Sequence, residues 1–528
     1  MPGRPFIGRF PAPKPPWHES WARRAGKLAL GGLAVLAVGR ALLYLIYLGS
    51  RFGTLLEVYM LEAKMVHLAW RVQHGLSLYP AWREGPHVAN FFGPVYFVLV
   101  GLLGRASGAD LDGLFPIARG VTVGATLATT LLIGLYAGRR FGAGAGVLAA
   151  IVSLGSAPMI GFGVMARPDA LADFLGFAGF LLAVSRSRRG VFAGSLLLLL
   201  AIFTKQTAVV YLLAACLANL WNARRAAALG IGGGVVLAAL SIAAIGTLVW
   251  EPRFASDLMG EFWSPRDLTA CRALLRRFVL NSPDLLMGAL IGLILWGLQP
   301  TRDLSLWTLT IVLLTTSLAA SLKKGADLNY FLGLRSIEAL AIAALWSAFK
   351  DAKGLRVVWL SVPATATALG LLISVVDIVP QAEFASHQRA FMSGRIGRAK
   401  LRQHKDLVQL CRDPAARVLT DDGLLDIQQG ARTAFGDPWL FRLLASTGRL
   451  DPSDLKRAVE EERYDWILTT KALGDADYQD YDFGLPMPIV EAARKHYVLD
   501  GWRAGNFLYR PHKQRKAMGL ESPNDGRS

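Results

Sequence analysis

The chain has 528 residues, of which 53% are hydrophobic, and its formal net charge is +18. A mean hydropathy of +0.37 excludes an ordinary soluble globular protein and predicts a polytopic membrane protein. The positive charge does not predict a nucleic-acid partner, because no basic stripe with interleaved aromatic residues lies on a soluble segment, and Lys and Arg at the cytoplasmic ends of spans account for it. Cys216, Cys271 and Cys411 show no paired spacing, so neither a disulfide framework nor a zinc site is expected.

Hydropathy divides the chain into three parts. Residues 1–28 are rich in Arg, Lys and Pro and predict a cytoplasmic tail. Residues 29–378 alternate apolar runs with polar gaps and predict an α-helical membrane domain of about 11–13 transmembrane helices. Residues 379–528 have a soluble composition and predict a small extracytoplasmic α/β domain. The predicted spans are 29–49, 115–137, 143–161, 168–184, 190–204, 207–222, 226–250, 284–298, 305–322, 328–349 and 356–377, with a shorter run at 91–104.

Basic clusters follow alternate spans from residue 115 onward and set the predicted orientation. The positive-inside rule places these clusters in the cytoplasm. It therefore places residues 158–169, 205–206 and 323–329, together with the C-terminal domain, on the opposite side. The run at 91–104 is too short for a full crossing, so we expect a re-entrant or interfacial helix there. The clusters are Arg139–Arg140, Arg186–Arg189, Arg224–Arg225, Arg302 and Lys350–Arg356.

The first outer loop, at residues 50–90, carries two carboxylates ahead of an amphipathic run. Glu57 and Glu62 are five residues apart and do not share one face of a regular helix, so one of them is expected to point into a cavity. The alternative is that both are solvated loop charges. Apolar residues at helical spacing between Val58 and Arg71 predict a helix lying along the membrane surface.

Asp169 begins a predicted span, directly after Arg167 and Pro168. As an acid at a helix N-terminus, Asp169 is explained by helix capping alone. An acid at the membrane face beside an arginine also suits an anion-binding site, and both explanations stay open.

Lys205 and Gln206 interrupt two apolar runs. Lys205 either extends to the membrane interface, as long cationic side chains do, or forms a basic rim for a phosphate with Lys324 and Asn329. Tyr330 has the position of an interfacial aromatic residue.

The C-terminal part predicts a strand, a helix and a second strand. Residues 418–422 form the first strand and an acidic turn, and residues 464–470 form the second strand. Between them, a helix is predicted from about Asp451 to about Glu462.

These features together resemble the GT-C superfamily of integral-membrane glycosyltransferases, in particular bacterial members of the dolichyl-phosphate-mannose–protein mannosyltransferase and aminoarabinose-transferase type. Such enzymes have an acidic first outer loop, a Gly-x-x-x-Tyr element, an aromatic Pro-x-Tyr, an Ala-Arg-x-Asp element, a Thr-Lys-Gln segment and a Gly-x-x-x-Asn-Tyr turn. The chain departs from them in one respect: the first-loop acid is usually Asp, and no Asp lies between Arg51 and Arg105. The matching positions are Glu62, Gly75, Tyr79, Pro94, Tyr96, Ala166, Arg167, Asp169, Thr204, Lys205, Gln206, Gly325, Asn329 and Tyr330.

The resemblance implies transfer of a sugar from a polyprenyl-phosphate donor to a lipid, glycan or protein acceptor. It places the reaction at the extracytoplasmic face of the plasma (bacterial inner) membrane. It implies Glu62 as the carboxylate base, with Glu57 as the substitute, and Asp169 as a second acid that positions the acceptor. Cationic side chains would neutralise the leaving phosphate, and tyrosines would line the sugar or lipid cavity. The binding residues expected in this way are Lys205, Gln206, Lys324, Arg167, Arg119, Asn329, Tyr330, Tyr79 and Tyr96.

Three alternatives stay open at this stage. No cofactor is required, but two acids can share a divalent metal, although no His joins them at ligand spacing. A transporter of lipid-linked sugars or polymers also needs many spans, but ionisable residues in the middle of spans and an internal repeat are not evident. A non-catalytic membrane assembly or sensor protein is the third, because a glutamate stands where the superfamily usually has aspartate.

Overall fold

The structure is a computed structural model that describes residues 16–52, 61–80, 87–156, 162–260, 265–297, 304–323, 326–350, 360, 362–373, 395–481 and 484–517. The described residues are mostly helical, with a small four-stranded sheet near the C-terminus. The prediction of a helical membrane protein with a small C-terminal α/β unit is confirmed at that level. Glu57, Lys324 and Gly325 lie outside the described residues.

A helix lies within each apolar run predicted from the sequence, and the helices end at the polar gaps between the runs. Two short 3-10 turns matter for the site, Gln206–Ala208 and Leu328–Phe331. The helices of the membrane part are α1 (Pro16–Arg51), α2 (Glu62–Gln73), α3 (Val95–Ser107), α4 (Leu111–Phe141), α5 (Ala143–Leu154), α6 (Asp169–Ala183), α7 (Arg188–Thr204), α8 (Val209–Trp221), α9 (Arg225–Ile245), α10 (Phe254–Leu258), α11 (Leu268–Asn281), α12 (Pro283–Gly297), α13 (Ser305–Ala320), α14 (Leu334–Lys350) and α15 (Val362–Ile373).

By length and composition, four stretches of helix in the described part of the chain can cross a membrane. A fifth crossing results if α11 and α12, which meet at an angle of 81°, form one broken span. Other apolar helices, including α3, α8 and α13, have 10–17 residues, fewer than the about 20 of a straight crossing. The four long stretches are Trp21–Arg51, Leu111–Phe141, Arg225–Trp250 and Leu328–Lys350.

Helix α2 corresponds to the amphipathic run that was expected to lie on the membrane surface. A surface helix would expose its polar face, but residues all around this helix are buried. Lys64 Nζ bonds Asp437 Oδ2 of the C-terminal domain at 3.1 Å, and His67 Nε2 lies 3.1 Å from the carbonyl oxygen of Gly430. Burial lowers the pKa of His67 to about 3, which keeps its ring neutral. The helix is therefore packed between the membrane helices and the C-terminal domain.

The C-terminal domain confirms the predicted strand, helix and strand and adds a hairpin. Its sheet has the order β1-β2-β4-β3, with β1 and β2 parallel and Val418 opposite Trp466. Ala504 and Gly505, both with positive φ (49° and 91°), turn the hairpin of β3 and β4. The elements are α16 (Arg395–Arg412), β1 (Val418–Thr420), α17 (Gly423–Ile427), α18 (Pro438–Ser446), α19 (Ser453–Glu460), β2 (Trp466–Thr469), α20 (Met487–His496), β3 (Tyr497–Arg503), β4 (Asn506–Pro511) and α21 (His512–Ala517).

Candidate active site

Four of the residues singled out in the sequence meet at one end of the membrane helices, and we call them the Asp169 cluster: Arg167, Asp169, Lys205 and Asn329. Asp169 Oδ1 accepts hydrogen bonds from Lys205 Nζ at 2.6 Å and from Asn329 Nδ2 at 2.7 Å. Its Oδ2 accepts one from Arg167 Nε at 3.0 Å. All four residues are buried. The ring of Tyr330 lies beside them, 5.1 Å from Lys205 Nζ.

Interruptions between helices bring these side chains together. Pro168 precedes α6 and leaves Asp169 in its first turn, where a carboxylate interacts favourably with the helix dipole. The backbone of Lys205 is extended (φ −152°, ψ 125°), so α7 ends there before the 3-10 turn begins. Asp327 caps the second 3-10 turn by accepting from the Leu328 amide at 2.7 Å, which fixes Asn329. Each polar side chain thus stands at or beside a helix end.

Two cations and one carboxylate meet in the Asp169 cluster. Arg167 and Lys205 each pair with Asp169, through its two different oxygens. The neighbouring ion pair, Arg335 Nη2 and Asp173 Oδ2 at 2.9 Å, adds one charge of each sign. Arg and Lys side chains form strong charge-assisted hydrogen bonds with phosphate oxygens. Two such cations held in place by one carboxylate suit the recognition of an anionic ligand.

A cavity of about 220 Å³ adjoins the cluster. Asp169, Lys205 and Asn329 line one part of it, and Asp173 and Tyr211 line another. The Tyr211 hydroxyl donates to Asp173 Oδ1, so this second acid is held on both oxygens. Further parts of the lining are apolar, including Ala172, Ala208 and Leu332. The site thus combines a buried cationic cluster with a partly apolar cavity.

Glu62, the expected base, lies outside the lining of this cavity and is fully buried. Its Oε1 accepts from Arg119 Nε at 3.1 Å and from the Ala166 amide at 2.7 Å, and its Oε2 accepts from Arg119 Nη2 at 2.9 Å. Both carboxylate oxygens are therefore used inside the protein. Through these bonds Glu62 ties α2 and α4 to the segment that leads into Asp169, and its role as the base stays a prediction.

Gln206, Tyr79 and Tyr96 also bond to the backbone and do not line the cavity. Gln206 Nε2 donates to the carbonyls of Phe91 at 2.8 Å and Leu258 at 3.0 Å. The Tyr79 hydroxyl donates to the Phe92 carbonyl at 2.8 Å, and the Tyr96 hydroxyl donates to the Ala118 carbonyl at 3.1 Å. The expectation that Tyr79 and Tyr96 line a sugar or lipid cavity stays a prediction. Tyr79 and Gln206 hold the loop before α3, and Tyr96 joins α3 to α4.

Gly93 shows how closely that loop approaches the site. A Cβ at Gly93 would lie 1.9 Å from the carbonyl oxygen of Phe203, in the last turn of α7. Only glycine allows this contact between two backbones. The Phe-Gly-Pro sequence before α3 thus lets the first loop pack on the helix end that precedes Lys205.

The structure adds three polar residues that the sequence reading did not single out. Asp173 follows Asp169 by four residues, and this spacing on one helix face was a usable signal. Arg335 is a cation inside an apolar run. It is an exception to the expectation that the predicted spans contain no ionisable residues. Glu251 accepts from the Ser77 hydroxyl at 2.7 Å and the Leu78 amide at 2.9 Å. No local pattern connects Glu251 to the first loop.

The fold and the site are those of a polytopic helical membrane protein with a buried cationic site at its helix ends and a C-terminal α/β domain. No protein-family model and no curated protein matches the chain. Among solved structures it is similar to ArnT, an aminoarabinose transferase, from Cupriavidus metallidurans bound to undecaprenyl phosphate. The TM-score is 0.54 at 13% identity over 90% of this chain and 97% of that one.

A second similar structure is the Archaeoglobus fulgidus oligosaccharyltransferase tethered with an acceptor peptide. The TM-score is 0.50 at 12% identity over 89% of this chain and 72% of that one. Both proteins belong to the GT-C superfamily. The structural likeness confirms the GT-C fold that the sequence motifs predicted.

Among the described residues, no group of three or more His, Cys, Asp or Glu side chains is placed to hold a metal ion. Asp169 and Asp173 are each bonded by cationic and neutral donors.

Proposed function

We propose that the protein is a membrane glycosyltransferase that moves a sugar from a polyprenyl-phosphate donor to a lipid, glycan or protein acceptor at the outer face of the membrane. The observation that carries the proposal is the pair of buried cations, Arg167 and Lys205, held by Asp169 beside a cavity in a GT-C fold. The complex of the similar ArnT structure with undecaprenyl phosphate supports the phosphate part of the proposal.

In this proposal Lys205 and Arg167 compensate the phosphate charge that develops as the glycosidic bond to the lipid phosphate breaks. Preorganised cations in a water-poor site stabilise such a leaving group more strongly than they would in water. Asp169 positions both cations, because it binds Arg167 and Lys205 through different oxygens. Asn329 holds Asp169 from a third side. Asp169 is thus a positioning residue for the cations in addition to its expected role toward the acceptor.

Helix direction and charge support the proposed sidedness. Helix α6 runs away from the Asp169 cluster toward exposed Arg186 and Arg188, and α7 returns to Lys205. The arginine-rich end is therefore opposite the cluster. Positive clusters mark the cytoplasmic side, which supports an extracytoplasmic position for the Asp169 cluster.

The base is assigned among the three first-loop acids. Glu62 is engaged by Arg119 and the Ala166 amide, so we assign it the role of holding the backbone before Asp169. Of the other two, Glu57 and Glu84, we assign the activation of the acceptor hydroxyl to Glu57, the substitute base that the resemblance implies. This assignment rests on the sequence, since Glu57 lies outside the described residues.

The test is a transfer assay with the full chain in proteoliposomes and labelled polyprenyl-phosphate pentoses and hexoses, incubated with membrane extract as the source of acceptors. Lys205→Gln, Asp169→Asn and Glu57→Gln are each expected to lower turnover at least tenfold. Arg189→Gln, at the exposed opposite end, is the matched control and should keep wild-type turnover. No turnover of any donor by the wild-type protein would contradict the enzyme proposal, and full activity of the three site variants would contradict the site.

The proposal requires no cofactor. Turnover is therefore expected to be unchanged after EDTA treatment and dialysis. A loss that returns on adding Mg²⁺ or Mn²⁺ would show that a divalent metal belongs to the reaction.

A further inference from the structure

We propose that Glu338 and Asp284 form a proton-binding site among the membrane helices, and that the bound proton keeps Arg335 paired with Asp173 in the cavity wall. The site lies where α1, α12 and α14 meet, apart from the Asp169 cluster. It goes beyond the proposed function and does not depend on it. Four observations support it: full burial, missing hydrogen-bond partners, contact between two carboxyl groups and close helix packing.

Glu338 is a buried acid whose carboxyl oxygens lack donors. Its side chain, in α14, is 0% exposed, and neither Oε1 nor Oε2 has a hydrogen-bond partner in the described part of the chain. Glu62, which is equally buried, accepts hydrogen bonds on both oxygens. A carboxylate buried without donors is very unfavourable, whereas a carboxylic acid is neutral and carries a donor of its own. Burial of this kind therefore suits Glu338 with its proton.

Asp284 supplies the acceptor for that proton. Its Oδ2 accepts from Arg40 Nη1 at 2.5 Å, whereas its Oδ1 has no partner among the described residues. The carboxyl groups of Glu338 and Asp284 lie within hydrogen-bonding reach of each other. Two buried carboxylates in contact repel each other, and a shared proton replaces the repulsion by a hydrogen bond. Glu338 is then the donor, and Asp284 Oδ1 is the acceptor.

Arg40 is the cation that would have to compensate an ionised Glu338. It pairs with Asp284 through Nη1, and its Nε and Nη2 have no partner in the part of the chain that the structure describes. No Arg40 nitrogen is therefore within hydrogen-bonding distance of a Glu338 oxygen. The ion pair belongs to Arg40 and Asp284, and the proton belongs to Glu338.

The helices pack closely around the two acids. A Cβ at Gly288, one turn after Asp284 on α12, would lie 2.7–2.9 Å from Cα, Cβ and Cγ of Glu338. A Cβ at Gly370, on α15, would lie 3.3–3.4 Å from the backbone nitrogen and Cα of Asp284. A water molecule or a metal cation needs a space of its own and several polar ligands. A proton needs neither, so the packing favours a proton as the ligand.

Few other titratable groups face the site. In the described ranges α5, α13 and α15, which pack on α14, carry no titratable side chain. Helix α12 contributes Asp284, and α1 contributes Arg40 and Tyr44, whose hydroxyl donates to a backbone carbonyl. Helix α4 carries its titratable residues toward its ends, and the one nearest its middle, Arg119, pairs with a carboxylate of its own. Asp284 and Arg40 are thus the charged groups that set the environment of Glu338.

The proton matters for the cavity because Arg335 lies on the same helix face as Glu338. The two residues are three apart on α14, and side chains at this spacing are neighbours. Arg335 is also fully buried, and its Nη2 lies 2.9 Å from Oδ2 of Asp173, which lines the cavity. Loss of the proton would place a second carboxylate beside Arg335, in competition with Asp173. Protonated Glu338 is thus a positioning residue for the Arg335–Asp173 pair.

Infrared spectroscopy of the full chain in nanodiscs measures the proton directly. A carboxylic acid has a C=O stretching band that is distinct from carboxylate bands and shifts in D₂O. At about pH 8, Asp421 and Asp426 are mostly ionised, because burial raises their pKa values to only about 7 and about 6. We expect a carboxylic-acid band in the wild type that moves when glutamate is labelled with ¹³C at its side-chain carboxyl. Glu338→Gln should remove the band, and Glu62→Gln, the buried and paired control, should keep it.

Reversible unfolding in SDS is the second readout. Glutamine mimics the protonated acid, so Glu338→Gln should keep or raise the unfolding midpoint of the wild type, whereas Glu62→Gln should lower it. An ionised Glu338 would give the opposite results: no labelled carboxylic-acid band, and a lower midpoint in Glu338→Gln. Either result would overturn the proton-binding site.

Arg335→Met tests the positioning role without any substrate. If the proton on Glu338 and the position of Arg335 are linked, removing the cation makes ionisation of Glu338 less favourable. The pH at which the infrared band disappears should then rise by about one unit or more. Disappearance at the same pH in Arg335→Met and the wild type would overturn the positioning role.

Discussion

The ion pair of Glu62 and Arg119 gives the sharpest prediction about stability. Glu62→Gln takes the Glu62 carboxylate away from the fully buried Arg119 guanidinium, and breaking a buried pair in this way costs about 3–5 kcal/mol. Glutamine still accepts from the Ala166 amide, so we expect a loss of about 3 kcal/mol, near the lower end of that range. Reversible unfolding of the full chain in SDS measures it. Substituting both partners, Glu62→Gln with Arg119→Met, should recover part of the loss, because no isolated charge remains.

An exposed pair is the control for this prediction. Lys456 and Glu460 pair on the surface of α19, and Glu460→Gln should change stability by less than about 1 kcal/mol. If Glu62→Gln keeps wild-type stability but abolishes sugar transfer, Glu62 is the base and the structural assignment is refuted. If the double variant is less stable than the single one, the reasoning from an unpaired charge fails.

Two further predictions concern the parts around the site. Burial raises the pKa of Asp421 in the C-terminal domain to about 7. The folded state therefore keeps this proton up to a higher pH than the unfolded state does. As a result, the stability of the domain falls as pH rises from about 4 to about 7. Asp421→Asn should flatten that slope in pH-dependent thiol labelling of buried Cys411, and an unchanged slope would contradict the assignment. Glu251→Ala removes the acceptor for the Ser77 hydroxyl and the Leu78 amide. Amide hydrogen exchange in residues 75–79 should therefore accelerate at least tenfold. Unchanged protection would show that other contacts hold the loop.

The sequence was sufficient to locate the helices and to single out the residues of the central cluster. Apolar runs located the membrane helices because burial in lipid requires them to be apolar along their whole length. The residues of the cluster could be recognised in the sequence because Asp169, Lys205 and Asn329 each interrupt or begin an apolar run. Polar groups at such places are unfavourable unless they have partners. A single chain shows each interruption, but it does not show that all three meet.

The sequence was insufficient where a role depends on a distant partner. Glu62 was singled out as a carboxylate in the first outer loop, and no local pattern shows that Arg119, on α4, pairs with it. Likewise, no local pattern shows that the Tyr96 hydroxyl bonds the Ala118 carbonyl in the core. The sequence showed the amphipathic pattern of α2. It did not show that the C-terminal domain, more than 300 residues further along the chain, covers this helix. Spacing reports a helix face but not what lies against it.

Binding of undecaprenyl phosphate to the full chain tests the central claim most directly, because it needs neither the sugar nor the acceptor. The claim is that Lys205 and Arg167 of the Asp169 cluster compensate the charge of a lipid phosphate. Lys205→Gln removes one charged hydrogen bond of about 1.5–3 kcal/mol and should weaken binding about 10- to 100-fold, while Arg189→Gln should leave it unchanged. Equal affinity of the wild type and Lys205→Gln for undecaprenyl phosphate would contradict the account.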